Sequence, residues 1–199
     1  MLKASVLVVS RTPELLSRLL GSLDQAYSGS RESIEVIASW NGSPEDEQHI
    51  QAGQLPFAIT QRVPYHFASN MNGLARLARG DVLIFANDDL TVDPGAIDAA
   101  IQRLTTQPEV GLVGARLRTS DGALAHAGIH FTSYGSPYHQ LERFVSAEHP
   151  VNTRERMVPA VTGAFFAMRR AEFLELELAE TLNVCGEDVL LSLQTRSIL

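Results

Sequence analysis

Asp88 and Asp89 are the side chains of this sequence with the plainest chemical use. They follow the run Gly80-Asp81-Val82-Leu83-Ile84-Phe85-Ala86-Asn87. A short apolar run between a Gly and an Asn-Asp-Asp cluster reads as a fully buried strand. Both carboxylates then stand at its carboxyl end, the edge where ligands collect in open α/β sheets. Adjacent carboxylates suit a hard divalent cation, and such a cation commonly carries a substrate's phosphates. The pattern therefore points to a site for a metal-bound diphosphate. A second acidic pair, Glu187-Asp188, follows Gly186 at the start of a helical pattern. There the helix dipole favours ionised carboxylates. Each pair also has a plainer reading, as a turn and as ordinary first-turn acids.

The elements that must position these acids alternate along the chain. Ala4 to Ser10 is a continuous apolar run, as a central parallel strand requires. Thr12-Pro13-Glu14 then opens a helix with a cap, a Pro in the first turn and an acid. Leu15, Leu16, Leu19, Leu20 and Leu23 repeat with helical spacing. Ile34 to Ser39 reads as a strand ended by Trp40-Asn41-Gly42-Ser43, and Ser43-Pro44-Glu45-Asp46 starts another helix. Phe57 to Val63 is a third strand, and Ala68 to Arg79 a helix leading into the run before Asp88. This alternation predicts a mostly parallel, Rossmann-like sheet with helices on both faces. Ser10, Trp40, Asn41, Asp88 and Asp89 all fall just after strands and should converge on one rim.

The remainder has a different texture. A helix is expected from Asp93-Pro94 to about Gln107, then strands over Val110 to Arg118 and Ala123 to Thr132 joined by a Ser120-Asp121-Gly122 turn. Tyr134 to Arg156 reads as a long loop, Val158 to Met168 as a strand interrupted at Thr162-Gly163, and helices close the chain over Arg170 to about Glu180 and Gly186 to about Arg196. His126 and His130, with Gly128 between them, lack a third ligand for zinc and read as polar packing or acceptor contact.

The bulk properties narrow the function. The 199 residues fit one domain with 45% hydrophobic and 20% charged content, ordinary for a globular protein. A net charge of −7 argues against a broad nucleic-acid surface. No apolar run approaches a membrane span and no signal peptide is evident, so the expected location is cytoplasmic, with peripheral association at the membrane's inner face left open. The single Cys185 fits a reducing compartment and reads as a small buried residue. Fifteen Arg accompany only one Lys, Lys3, which disfavours mechanisms that need a buried Lys on phosphates or in a Schiff base.

Taken in order, several blocks resemble a family 2 glycosyltransferase with the GT-A fold. They are Val6-Leu7-Val8-Val9-Ser10-Arg11 through Leu16, Glu35-Val36-Ile37 through Ser43, and Pro64-Tyr65-His66-Phe67-Ala68 through Asn72. Gly80-Asp81 to Asp89 resembles the approach to the family's DxD-type metal motif. His126-Ala127-Gly128 is similar to a run in members that build surface polysaccharides, rhamnosyltransferase-like members among them. Val161-Thr162-Gly163-Ala164 and Gly186-Glu187-Asp188-Val189 resemble the acceptor-side strand and the catalytic-base motif. The resemblance covers nearly the whole chain, from Ser5 to Arg196.

The resemblance implies a fold of α/β class, a nucleotide-sugar-binding half over 1–107 and an acceptor and base half with a smaller β region over 108–199. It implies transfer of a sugar from a nucleotide diphosphate sugar to a hydroxyl of a glycan or lipid-linked acceptor, usually with inversion. Asp89 matches the ligand of a Mg²⁺ or Mn²⁺ ion that neutralises the leaving diphosphate, with Asp88 near the ribose or supporting the metal. Asp188 matches the general base for the acceptor hydroxyl, with Glu187 beside it. Donor contacts fall to Ser10, Arg11 and Glu14 on the first strand's loop, and to Trp40 and Asn41 on the second. Asn72, Thr162 and Gly163 complete them, and Arg76 is close enough to the rim to reach phosphate. Trp40 stands where relatives commonly carry an Asp, so either its ring stacks on the base or it packs as an ordinary aromatic and the donor is held differently. The chain ends at Leu199, soon after the base motif, where many relatives continue. Two other readings are a catalytically silent domain that binds nucleotide or glycan, and a sugar nucleotidyltransferase, disfavoured by the missing Gly-rich loop and its Lys.

Overall fold

The computed structural model describes residues 2–182 and 185–198. The first half alternates as its pattern predicts: β1 (Ala4–Ser10), α1 (Pro13–Ala26), β2 (Ile34–Trp40), the single-turn α2 (Pro44–Glu47), β3 (Phe57–Gln61), α3 (Phe67–Leu77) and β4 (Val82–Asn87). Next come α4 (Ala96–Thr106), then the short strands β5 (Leu112–Gly114), β6 (Leu117–Arg118), β7 (Leu124–His126), β8 (Ile129–Phe131) and β9 (Pro137–His139). The chain returns through β10 (Phe165–Arg169), α5 (Arg170–Leu176) and α6 (Glu187–Ile198).

Six strands form the central sheet in the order β3-β2-β1-β4-β10-β5. β1 pairs in parallel with both β2 and β4, and β2 with β3, while β10 runs antiparallel to β4 and to β5. The later segment thus completes the same sheet that the first half begins. β1, β2 and all of β4 but Asn87 are buried, which is why they read as unbroken apolar runs.

Strand alternation divides the core between two faces. Val6, Val8, Val36, Trp40, Ile84 and Ala167 pack with Leu16, Leu19 and Leu23 of α1 and Ile97 and Leu104 of α4. Leu7, Val9, Leu83, Phe85 and Phe166 face the other way, against Met71 and Leu74 of α3 and Phe173 of α5. Phe85 and Phe166 stack at a centroid distance of 4.2 Å, and Phe173 leans on Phe85 at 4.6 Å. Removing a phenyl ring from such a place costs about 3–5 kcal/mol.

The feet of the strands are tied by a buried carboxylate. Glu35 accepts the Ser5 hydroxyl at 2.7 Å, the Arg79 N–H at 2.8 Å and the Arg79 guanidinium at 2.6 and 3.0 Å. The same Ser5 Oγ accepts the Gly80 N–H at 2.9 Å. A Cβ on Gly80 would lie 2.3 Å from the Ala4 carbonyl carbon, so only glycine lets the chain enter β4 so close to β1.

Elsewhere the structure corrects the element boundaries. Thr12 gives no side-chain cap to α1; its N–H instead meets Ser10 Oγ at 3.2 Å. His66 caps α3 through Nδ1, so that helix starts ahead of Ala68. α4 begins only after Gly95, whose φ of +77° suits glycine and ends the Asp93-Pro94 turn. Val110 to Arg118 is broken between β5 and β6, and Ala123 to Thr132 is divided at Gly128, with φ of +112°. The expected long loop after Tyr134 contains β9, paired with β8. The predicted 158–168 strand joins the sheet only from Phe165, and it runs on to Arg169; α5 stops at Leu176 because Glu177 takes φ of +51°.

Candidate active site at the carboxyl rim

The carboxyl ends of β1, β2 and β4 meet as the topology requires. Val9 of β1 is level with Asn87 of β4, and Ser10 with Trp40 of β2. Ser10 Oγ donates to Asp88 Oδ2 at 2.6 Å, joining the first strand's loop to the acidic pair. Burial, the largest influence, pushes the Asp88 carboxyl above its ordinary range, and the charge of Asp89 pushes it further. The Ser10 bond and the positive charge of Arg11 act in the opposite direction. Asp89 is exposed and its backbone carbonyl accepts from Arg18 at 3.4 Å. The two carboxylates are an oxygen donor set, and a divalent cation beside them would relieve the repulsion that helps raise the Asp88 pKa. Asp88 and Asp89 therefore fit such an ion. Among the described residues no group of three His, Cys, Asp or Glu could hold a metal unaided.

The segment 161–164 connects this pair to the second one. Asn87 N–H donates to Ala164 C=O at 2.9 Å. Gly163 N–H donates to Asp188 Oδ2 at 2.6 Å, while Asp188 Oδ1 accepts the Val189 N–H at 2.7 Å. A Cβ on Gly163 would lie 3.3 Å from the Asp188 Cβ, so glycine permits this approach. Ser192, one turn along α6, accepts the Val161 N–H at 3.2 Å and donates to the Asp188 carbonyl at 2.8 Å. Sequence reading missed Ser192; its spacing of four from Asp188 was the available signal. Glu187 lies beside the base position with its Oε2 buried and unpartnered among the described residues.

Not every expected contact is presented to a ligand. Trp40 is 2% exposed in the α1–α4 core, and its Nε1–H donates to Ser43 C=O at 2.9 Å. Gly42 covers the ring, since a Cβ there would fall 2.4 Å from it. The stacking expectation is thus corrected: strand alternation turns the side chain of Trp40 into the core. Asn72 is corrected likewise, for its amide is spent on the chain. It accepts the Leu178 N–H at 2.9 Å and donates to Leu178 C=O at 2.9 Å and Glu180 Oε1 at 3.0 Å. Arg76 is held in an ion pair with Glu177, and Cys185 is exposed rather than buried. Asn41 donates to Val63 C=O and its Oδ1 finds no partner among the described residues. Arg11 and Glu14 are exposed beside the rim, and Thr162 Oγ1 accepts the Ala164 N–H at 3.3 Å.

A cavity of about 740 Å³ runs along β5, lined by Arg103, Arg116, Val161 and residues of the 152–160 segment. It does not include Asp88, Asp89 or Asp188.

A mostly parallel sheet with an acidic pair at its switch region and a second acid across the rim defines the GT-A class of fold. Residues 6–175 match the model of glycosyl transferase family 2, and the chain belongs to that family. It is 29% identical over 203 residues to the O-antigen biosynthesis protein RfbC of Myxococcus xanthus, covering 96% of this chain and 16% of that protein. Among solved structures it resembles the mannosyltransferase PcManGT of Pyrobaculum calidifontis in complex with GDP-Man and Mn²⁺. The TM-score is 0.58 at 15% identity, over 94% of this chain and 49% of that one. TarS of S. aureus is similar with a TM-score of 0.67 at 14% identity, over 98% of this chain and 33% of that one. The chain thus spans less than half the length of each of these three. Among the described residues no helix is long and apolar enough to cross a membrane.

Proposed function

We propose that this chain is the catalytic domain of a metal-dependent, inverting glycosyltransferase acting in surface polysaccharide synthesis. The observation that carries the reading is the placement of Asp188 against Gly163 on the rim that also holds Asp88 and Asp89. Membership of family 2 and the likeness to RfbC support a sugar-transfer role in polysaccharide assembly. Residues 1–107 would hold the nucleotide sugar and 108–199 the acceptor and base. A glycan or lipid-linked hydroxyl is the acceptor class.

Asp89, supported by Asp88, would hold a Mg²⁺ or Mn²⁺ ion. When bound, that ion offsets the charge of the departing diphosphate. Ser10 keeps Asp88 oriented, and Arg11 adds positive charge beside it. The Asp188 carboxylate accepts the proton of the acceptor hydroxyl as the oxygen attacks the anomeric carbon. Two N–H donors hold that carboxylate in one orientation toward the rim.

The test is a screen of UDP- and GDP-sugars for thermal stabilisation with Mn²⁺. A donor at 100 times its Kd should add about 2.7 kcal/mol of stability. Asp89→Ala should abolish the Mn²⁺-dependent part while remaining folded. A folded Asp89→Ala with undiminished metal-dependent stabilisation would remove Asp89 from this role.

A further inference from the structure

His126 lies outside the acids yet touches the segment that holds them. Its ring is 2% exposed, and both nitrogens are engaged. Nε2 accepts the Gly128 N–H at 3.2 Å and the Thr162 N–H at 3.4 Å. Nδ1 lies 3.0 Å from Nδ1 of His139. An imidazole nitrogen that accepts backbone N–H groups carries no proton, so the ring proton resides on Nδ1 and points at His139. His139 Nδ1 must then accept, which leaves the His139 proton on its Nε2. The backbone supports this arrangement. Gly128 turns its N–H back to the ring with φ of +112°, and a Cβ there would meet the Val158 side chain at 2.6 Å.

We propose that His126 is a positioning residue for the Asp188 base, acting as a neutral clamp on the Thr162–Gly163 turn. The proposal rests on the reading of Asp188 given above. The ring holds the Thr162 N–H, and the next N–H along the chain, that of Gly163, holds Asp188. Losing the ring acceptor frees one peptide plane, and the carboxylate loses its fixed donor. Burial, with smaller contributions from the neighbouring His139 and from the Arg156 guanidinium, holds the His126 pKa down to about 4. The ring is therefore neutral at physiological pH and Nε2 remains an acceptor. Arg156 faces the same loop, donating to Ala127 C=O at 2.8 Å. A histidine that merely filled space would have no need of one particular tautomer.

NMR of the ¹⁵N-labelled chain tests this without donor or acceptor. The ring of His126 should show Nδ1 protonated and Nε2 bare at neutral pH. In His126→Phe, amide exchange at Thr162 and Gly163 should rise about tenfold or more, the scale of one lost hydrogen bond, while β1 and β4 keep their protection. His126→Gln, whose amide oxygen can reach the Nε2 position, should restore most of the protection at Thr162. An Nε2-protonated ring would overturn the proposal, and so would unchanged exchange at both amides in a folded His126→Phe. Should His126→Phe not fold, the tautomer in the unaltered chain and the Gln variant decide. Failure of the base reading shows separately, as full transfer activity in Asp188→Asn.

Discussion

The Asp188 carboxylate accepts the Gly163 N–H at 2.6 Å, so a residue of α6 and a residue entering β10 share one hydrogen bond across the rim. That bond, with the Asn87 N–H on Ala164, puts the two acidic pairs on a common backbone segment.

Asp188→Asn should leave Mn²⁺-dependent nucleotide binding nearly unchanged and lower transfer by roughly 10²–10⁴, the usual contribution of a positioned base. The amide keeps the shape but cannot take the acceptor's proton. Glu187→Gln should cost less, because Glu187 only neighbours the base. Steady-state kinetics beside calorimetry separates the two effects, and equal losses in both variants would refute separate roles.

Gly163→Ala should fold and bind donor but transfer more slowly, by roughly tenfold, since sub-ångström displacement of a catalytic group is costly. The added methyl would lie 3.3 Å from the Asp188 Cβ and 3.6 Å from the Phe67 ring. Parallel measurement of Tm and kcat checks this. Unchanged kcat would mean that Asp188 needs no close contact with the turn.

Metal binding should weaken on acidification at a higher pH than an ordinary Asp would allow. The Asp88 carboxyl is raised, first by burial and then by Asp89, and only its ionised form serves a cation. Ser10→Ala removes a bond that lowers this pKa, so its Mn²⁺ binding curve should move to higher pH. The same raised pKa means that Asp88 itself contributes to stability only at low pH, below the unfolded value. That contribution is lost as pH rises through the folded one. Mn²⁺ titrations between pH 4 and pH 7 read the shift; coincident curves for Ser10→Ala and the unaltered chain would contradict it.

Trp40→Ala should destabilise the chain by about 3–5 kcal/mol through loss of a large core side chain. Trp40 is the only Trp, so its emission reports on this site alone. Nucleotide titration should leave that emission unchanged, because the ring is buried beneath Gly42. Quenching by UDP or GDP would restore the stacking role.

Glu35 should make stability pH-dependent in the opposite sense to Asp88. Burial raises its pKa, but the Arg79 and Ser5 hydrogen bonds outweigh burial and hold it below the ordinary glutamate value of 4.5. Its contribution is present above that unfolded value and disappears as pH falls through the folded one. Urea unfolding should therefore show Glu35→Gln less stable at neutral pH, with the gap closing in acid. A gap that persists at low pH would point to packing rather than charge.

The alternation of the first ninety residues and the rim they form were legible in the sequence. Buried parallel strands must be continuously apolar, and polar residues after them have one edge to occupy. Asp88, Asp89 and Ser10 were placed by that rule alone. The orientation of Trp40 was not legible, because a strand-terminal residue lies at the rim whichever face its side chain takes. Only the pairing register with β1 turned it into the α1–α4 core. The short strands after Leu112 were equally opaque, since their boundaries depend on single glycines with positive φ and on partners far along the chain. Asn72, readable as a rim residue by its helix, became a tie to Leu178 across 106 positions. Contacts over such separations leave no local period. The link from His126 through Thr162 and Gly163 to Asp188 is of this kind, and the tertiary structure alone decided it.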